Sequence, residues 1–143
     1  MKKFIAGAAL AATLASPLMA ESQDNLVTIV TTGEPQVQLM SMVLTHQAMA
    51  KGHSTRILLC GPGGDMALAA APETATAPQP PKGASPQGLL QAAIKKGATV
   101  EVCAIYLPGK GADQSVLMEG VGVAAPPAMA AAMAAPDTIV WPF

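Results

Sequence analysis

Five short β-rich runs, each separated from the next by a segment of helical period or helical length, constrain this chain more than any other feature. The runs are Leu26–Thr31, Thr55–Cys60, Ala98–Ala104, Val121–Ala124 and Thr138–Trp141. Between the first two, Val37, Met40, Val43, Leu44 and Ala48 recur at three- and four-residue spacing. That period predicts an amphipathic helix over about residues 36–50, with these five as its apolar face and Gly52 closing it. Ser85-Pro86 supplies a cap and a first-turn proline to a second helix, whose stripe is Leu89, Leu90, Ala93 and Ile94, up to Lys95-Lys96-Gly97. A short helix beginning near Asp113 is expected to pack Val116 and Leu117 and to stop at Gly120, and Pro126-Pro127 opens an alanine-rich helix reaching Met133 or Ala134. Strands alternating with helices of crossover length pair in parallel and need cover on both faces. The predicted fold class is therefore α/β, a three-layer α/β/α sandwich with a mostly parallel five-stranded sheet. Such a sheet sets the loops after Thr31, Cys60, Tyr106 and Ala124 along one edge, where open parallel sheets hold their ligands.

Residues 1–20 are read apart from this fold. Lys2 and Lys3 precede an apolar run, Phe4–Leu14, followed by Ser16, Pro17 and the small Ala20. This is the three-part pattern of a secretory signal peptide cleaved before Glu21, and it implies export to a periplasm. No later segment is long enough to cross a bilayer, so no membrane association is expected after cleavage. Residues 21–143 form a single domain, interrupted at about residues 70–84 by a Pro/Ala-rich loop in which Pro72, Pro78, Pro80 and Pro81 forbid a long helix. Without Lys2 and Lys3, six basic residues face nine acidic ones, a formal charge of −3. No positive face is available for a phosphate backbone, which argues against nucleic-acid binding. The low charge and many alanines suit packing against a second copy.

The chemistry-bearing residues are few. Cys103 sits where the third run breaks into Tyr106-Leu-Pro108-Gly109-Lys110-Gly111. Sulfur chemistry needs an accessible thiolate, and turn amides together with the Lys110 charge would favour that form. Cys60 holds the matching place on the preceding run, directly before Gly61-Pro62-Gly63-Gly64. Three readings stay open for the pair: a structural disulfide, two inert thiols, or a reactive Cys103 with Cys60 as its resolving partner. Their spacing is no Cys-x-x-Cys motif. The glycine-rich turn lacks the spacing of a nucleotide or dinucleotide loop, so no cofactor is expected. Met42, His46 and Met49 share one helical face and are candidate soft-metal ligands, with core packing as the alternative. No nucleophile elbow or carboxylate pair is present.

Several landmarks occur in order along the chain: Val27-Thr-Ile-Val-Thr-Thr32, Gln38-Leu-Met-Ser-Met42, Ile57-Leu-Leu-Cys60, Ser85-Pro86 with Leu89-Leu90, Val100-Glu-Val-Cys103-Ala-Ile-Tyr106 and Asp137-Thr-Ile-Val140. In these the chain resembles the DsrE/DsrF-like family, which includes sulfur-relay proteins of the TusD type. The resemblance implies that Cys103 accepts sulfane sulfur as a persulfide and passes it on. It also implies a sulfane-sulfur donor, a thiol acceptor protein and homo-oligomerisation. The leader marks an exported member, in a compartment unlike that of the family's mainly cytoplasmic relays. Two other functions fit the residues: a non-enzymatic interaction or soft-metal-binding protein, and a thiol redox sensor built on Cys60 and Cys103.

Overall fold

The computed structural model describes residues 24–143, so the leader read at residues 1–20 lies outside the described residues. Five strands, β1 (Asn25–Val30), β2 (Ser54–Leu59), β3 (Thr99–Val102), β4 (Val121–Val123) and β5 (Thr138–Pro142), form one sheet in the order β4-β3-β2-β1-β5. Every neighbouring pair is parallel. The helices are α1 (Pro35–Ala50), α2 (Glu73–Thr76), α3 (Pro86–Lys95), α4 (Tyr106–Lys110) and α5 (Pro126–Met133), with 3-10 segments at Gly61–Ala67 and Gln114–Val116. From β1 to β4 the chain steps one way across the sheet, then returns past β3, β2 and β1 to reach β5 beyond β1. Right-handed crossovers therefore place α1 and α3 on one face and α5 on the other. The core divides accordingly. Val30, Ile57, Leu59, Val100 and Val102 pack with Met42, Leu90 and Tyr106 on the first face, whereas Val27 and Leu58 pack with Ala124 and Met129 on the second. This is the predicted three-layer sandwich.

Helix α1 runs where its period predicts but turns most of its expected stripe outward, keeping Ala48 buried. Val37, Met40 and Leu44 are exposed, Met40 by 52%, and the buried positions are Gln38, Ser41, Met42, Thr45 and Ala48. The buried hydroxyls of this face and the Gln38 amide nitrogen are satisfied locally. Ser41 Oγ donates to Gln38 O and Thr45 Oγ1 donates to Ser41 O, each at 2.7 Å. Thr45 Oγ1 also lies 2.9 Å from Thr28 Oγ1 on β1, and Gln38 Nε2 donates to Thr32 O at 2.8 Å. Small hydroxyls with partners in hand let the helix lie close on the sheet.

Two further expectations change. Within residues 70–84 a helical turn, α2, inserts a fully buried Ala75 into the core, and Gln79 N donates to Ala84 O at 2.8 Å to close a tight turn. The helix expected from Asp113 is a single 3-10 turn, Gln114–Val116, capped by Asp113 Oδ1 accepting from Ser115 N at 2.8 Å. Val116 is exposed there. The helical residues lie earlier, in α4, which ends where Gly111 takes a left-handed φ of 62°.

Candidate functional site at the sheet edge

Register brings the two cysteines together. Leu59 of β2 is the partner of Val102 of β3, so the next residues along each strand, Cys60 and Cys103, leave the sheet side by side. The hydrogen-bond ladder continues through them: Cys60 N donates to Val30 O and Cys103 N to Leu59 O, both at 2.9 Å. Alternation along the strands turns both side chains away from the α1/α3 layer, because Leu59 and Val102 face it. Their Cα atoms are 5.1 Å apart and the sulfurs form a disulfide, within the range such a bond requires. Both residues are half-buried. Cys60 packs on the α5-side cluster, and Cys103 touches both core clusters. Two residues beyond Cys103, Ile105 is 81% exposed at the rim. The Cys60–Cys103 bond is at odds with two separate inert thiols and is compatible with both a structural disulfide and a resolving pair.

A second, polar connection joins the same two loops. Tyr106 N donates to Cys103 O at 2.9 Å, and the Tyr106 hydroxyl donates to Asp65 Oδ1 at 2.6 Å. Lys110 Nζ reaches the same oxygen at 2.8 Å and lies 5.4 Å from the centre of the Tyr106 ring. Partial burial pushes the Asp65 carboxyl up, but the hydrogen bonds from Lys110 and Tyr106 and the Lys110 charge outweigh it, and the group titrates below its ordinary value. The Tyr106 phenol is pushed well above its ordinary range by burial, then by the Asp65 hydrogen bond and charge, and stays protonated. Gly64 makes room for this ring, since an added Cβ would overlap it.

The residues predicted from sequence are thus distributed unequally. Cys60 and Cys103 meet. Lys110, expected to support a Cys103 thiolate, has its charge matched by Asp65. Asp65 and the Tyr106 hydroxyl were missed; the sequence signal was a lone tyrosine, whose hydroxyl needs a partner once buried. Met42 is fully buried in the core, Met49 packs against that core, and His46 has Nε2 2.9 Å from Leu89 O and Nδ1 3.5 Å from Lys96 Nζ. Those contacts account for the three side chains by packing and hydrogen bonding. A groove of about 600 Å³ between α1, the turn at residues 79–84 and α3 includes His46 in its wall and lies apart from the disulfide.

Comparisons with known proteins identify the architecture. No family model matches the chain, and no curated protein matches it. Among solved structures it is similar to the ychN protein from E. coli, with a TM-score of 0.65 and 19% identity over 83% of this chain and 99% of that one. It is also similar to MTH1491 from Methanobacterium thermoautotrophicum, a protein described as of unknown function, with a TM-score of 0.62 and 16% identity over 83% of this chain and 98% of that one. These likenesses establish a shared fold.

Proposed function

We propose that this chain is a sulfur carrier of the DsrE/DsrF-like kind, exported to the periplasm, in which Cys103 holds sulfane sulfur as a persulfide and Cys60 is the resolving thiol. One observation carries the reading: the only two cysteines of the sequence stand side by side at the carboxyl edge of a parallel sheet, half-exposed and within bonding distance. After reduction, the Cys103 thiolate attacks the sulfane sulfur of a polysulfide, persulfide or thiosulfonate and displaces the remainder as its leaving group. A thiol of an acceptor protein then takes the outer sulfur and returns Cys103 to the thiol. The exposed Ile105 beside the site offers that acceptor an apolar contact. Homo-oligomerisation belongs to the same proposal, with Val37, Met40 and Leu44 of α1 as outward-facing apolar residues.

The test is peptide mass spectrometry of reduced protein after exposure to inorganic polysulfide. One added sulfur atom on Cys103 is expected, retained in Cys60→Ser and lost in Cys103→Ser. Reduced, accessible Cys60→Ser protein, in which no neighbouring thiol can expel the added sulfur, that takes up none at Cys103 would refute the carrier. A second reading, a thiol redox sensor, draws on the disulfide itself. It would be favoured by reversible thiol–disulfide cycling under mild oxidation without any sulfur uptake.

A further inference from the structure

The disulfide raises a question of polarity in the chemical sense. In the oxidised chain both cysteines are bonded and no free thiol remains among the described residues. Such a site has no nucleophile with which to attack a polysulfide. Its sulfurs are electrophilic, so the species it can react with is itself a sulfur nucleophile. The surroundings favour a small one. The cysteines are half-buried, and the cluster they pack against contains Ala124, Met129 and Val140. A bulky, multiply charged thiol must bring its ionic groups against that apolar wall, at a desolvation cost; a diatomic ion need not.

We propose that the oxidised Cys60–Cys103 pair captures inorganic hydrosulfide directly. This names the substrate class of the carrier described above and rests on that reading. Hydrosulfide sulfur attacks Cys103 Sγ, and a new sulfur–sulfur bond forms there. The Cys60–Cys103 bond breaks, and its electron pair leaves on Cys60 Sγ as a thiolate. The incoming sulfur is oxidised to the sulfane level and the Cys60 sulfur is reduced to the thiolate level, so the disulfide is the oxidant and nothing else is consumed. The proton of hydrosulfide stays on the outer sulfur of the Cys103 persulfide. Each oxidised chain makes one persulfide by this step.

The test uses the full processed chain, first shown by thiol titration to hold no free thiol. It is mixed anaerobically with one equivalent of sodium sulfide, trapped with an alkylating agent and mapped by peptide mass spectrometry. The expected result is an alkylated persulfide on Cys103 and an alkylated thiol on Cys60 in equal amounts. Opening by sulfide is expected to be faster than by glutathione at equal thiolate concentration, because access to the half-buried bond outweighs the lower basicity of hydrosulfide. Cys60→Ser, which lacks the oxidant, is expected to stay unmodified by sulfide while still loading from polysulfide. If that variant does not fold, the map of the unaltered chain decides. Failure of sulfide to open the bond, persulfide found on Cys60 alone, or two free thiols in the purified protein overturns the proposal. Polysulfide loading of reduced protein in the same preparation would then leave the carrier standing, which separates the two failures.

Discussion

At the scale of single residues, the contact most open to measurement is the Tyr106 hydroxyl on Asp65, because a largely buried phenol bonds an ionised carboxylate. Tyr106→Phe is expected to cost about 1.5 to 2 kcal/mol, the lower part of the range for a hydrogen bond to a charged group, since Asp65 is partly solvated. Lys110 contributes less than about 1 kcal/mol, as its ammonium is more exposed. The signs of the pKa shifts fix the pH window. Asp65 titrates below its ordinary value of 3.8, so its contribution is present above that pH and is lost as pH falls through the lower, folded value. Tyr106 titrates above its ordinary value of 10.0, so its contribution is full below pH 10.0 and fades above it. Urea unfolding of the two proteins across pH should show a constant gap at neutral pH that narrows on acidification. The pair was not legible in the sequence because its members are 41 residues apart and neither belongs to a local pattern. The cysteines were legible, since each ends a strand-like run and parallel strands align such ends.

At the scale of elements, Gly61–Ala67 shows how a turn read as simple punctuation can carry packing. Gly63 lies so near the Val30 carbonyl that an added Cβ would overlap it, and Gly64 lies against the face of Tyr106. Gly64→Ala is expected to destabilise by about 1 to 3 kcal/mol through overpacking. In a Tyr106→Leu background the penalty should shrink, a coupling that a double-mutant cycle of unfolding free energies would register. Helix α1 teaches the converse. Its apolar spacing gave the element and its length, but the buried side carries Gln38, Ser41 and Thr45, whose amide nitrogen and hydroxyls find hydrogen-bond partners. A hydrophobicity period has no access to that. Helix α3 follows its period, with Leu90 and Ala93 buried, and Ser85 Oγ accepts from Gly88 N as its cap.

At the scale of the whole molecule, the disulfide closes a loop of 43 residues that contains the 3-10 segment, α2, α3 and β3. Chain entropy alone values such a closure at about 4 kcal/mol. Reduction is therefore expected to lower the unfolding free energy by about 2 to 4 kcal/mol, measurable as a shifted urea midpoint with and without reductant. The fold class was readable from the alternation of runs, whereas the strand order was not, because right-handed crossovers fix the face each helix covers and leave the order of the strands open. Two ties, one covalent and one through Tyr106 and Asp65, hold the same pair of loops, and only the covalent one opens on reduction. The polar tie keeps Cys60 next to whatever Cys103 bears. If Cys103 carries a persulfide as proposed, that cargo is perishable: the neighbouring Cys60 thiolate can strike the inner sulfur, expel hydrosulfide and reset the bond, so delivery would become a race between a waiting recipient and the carrier's own clock.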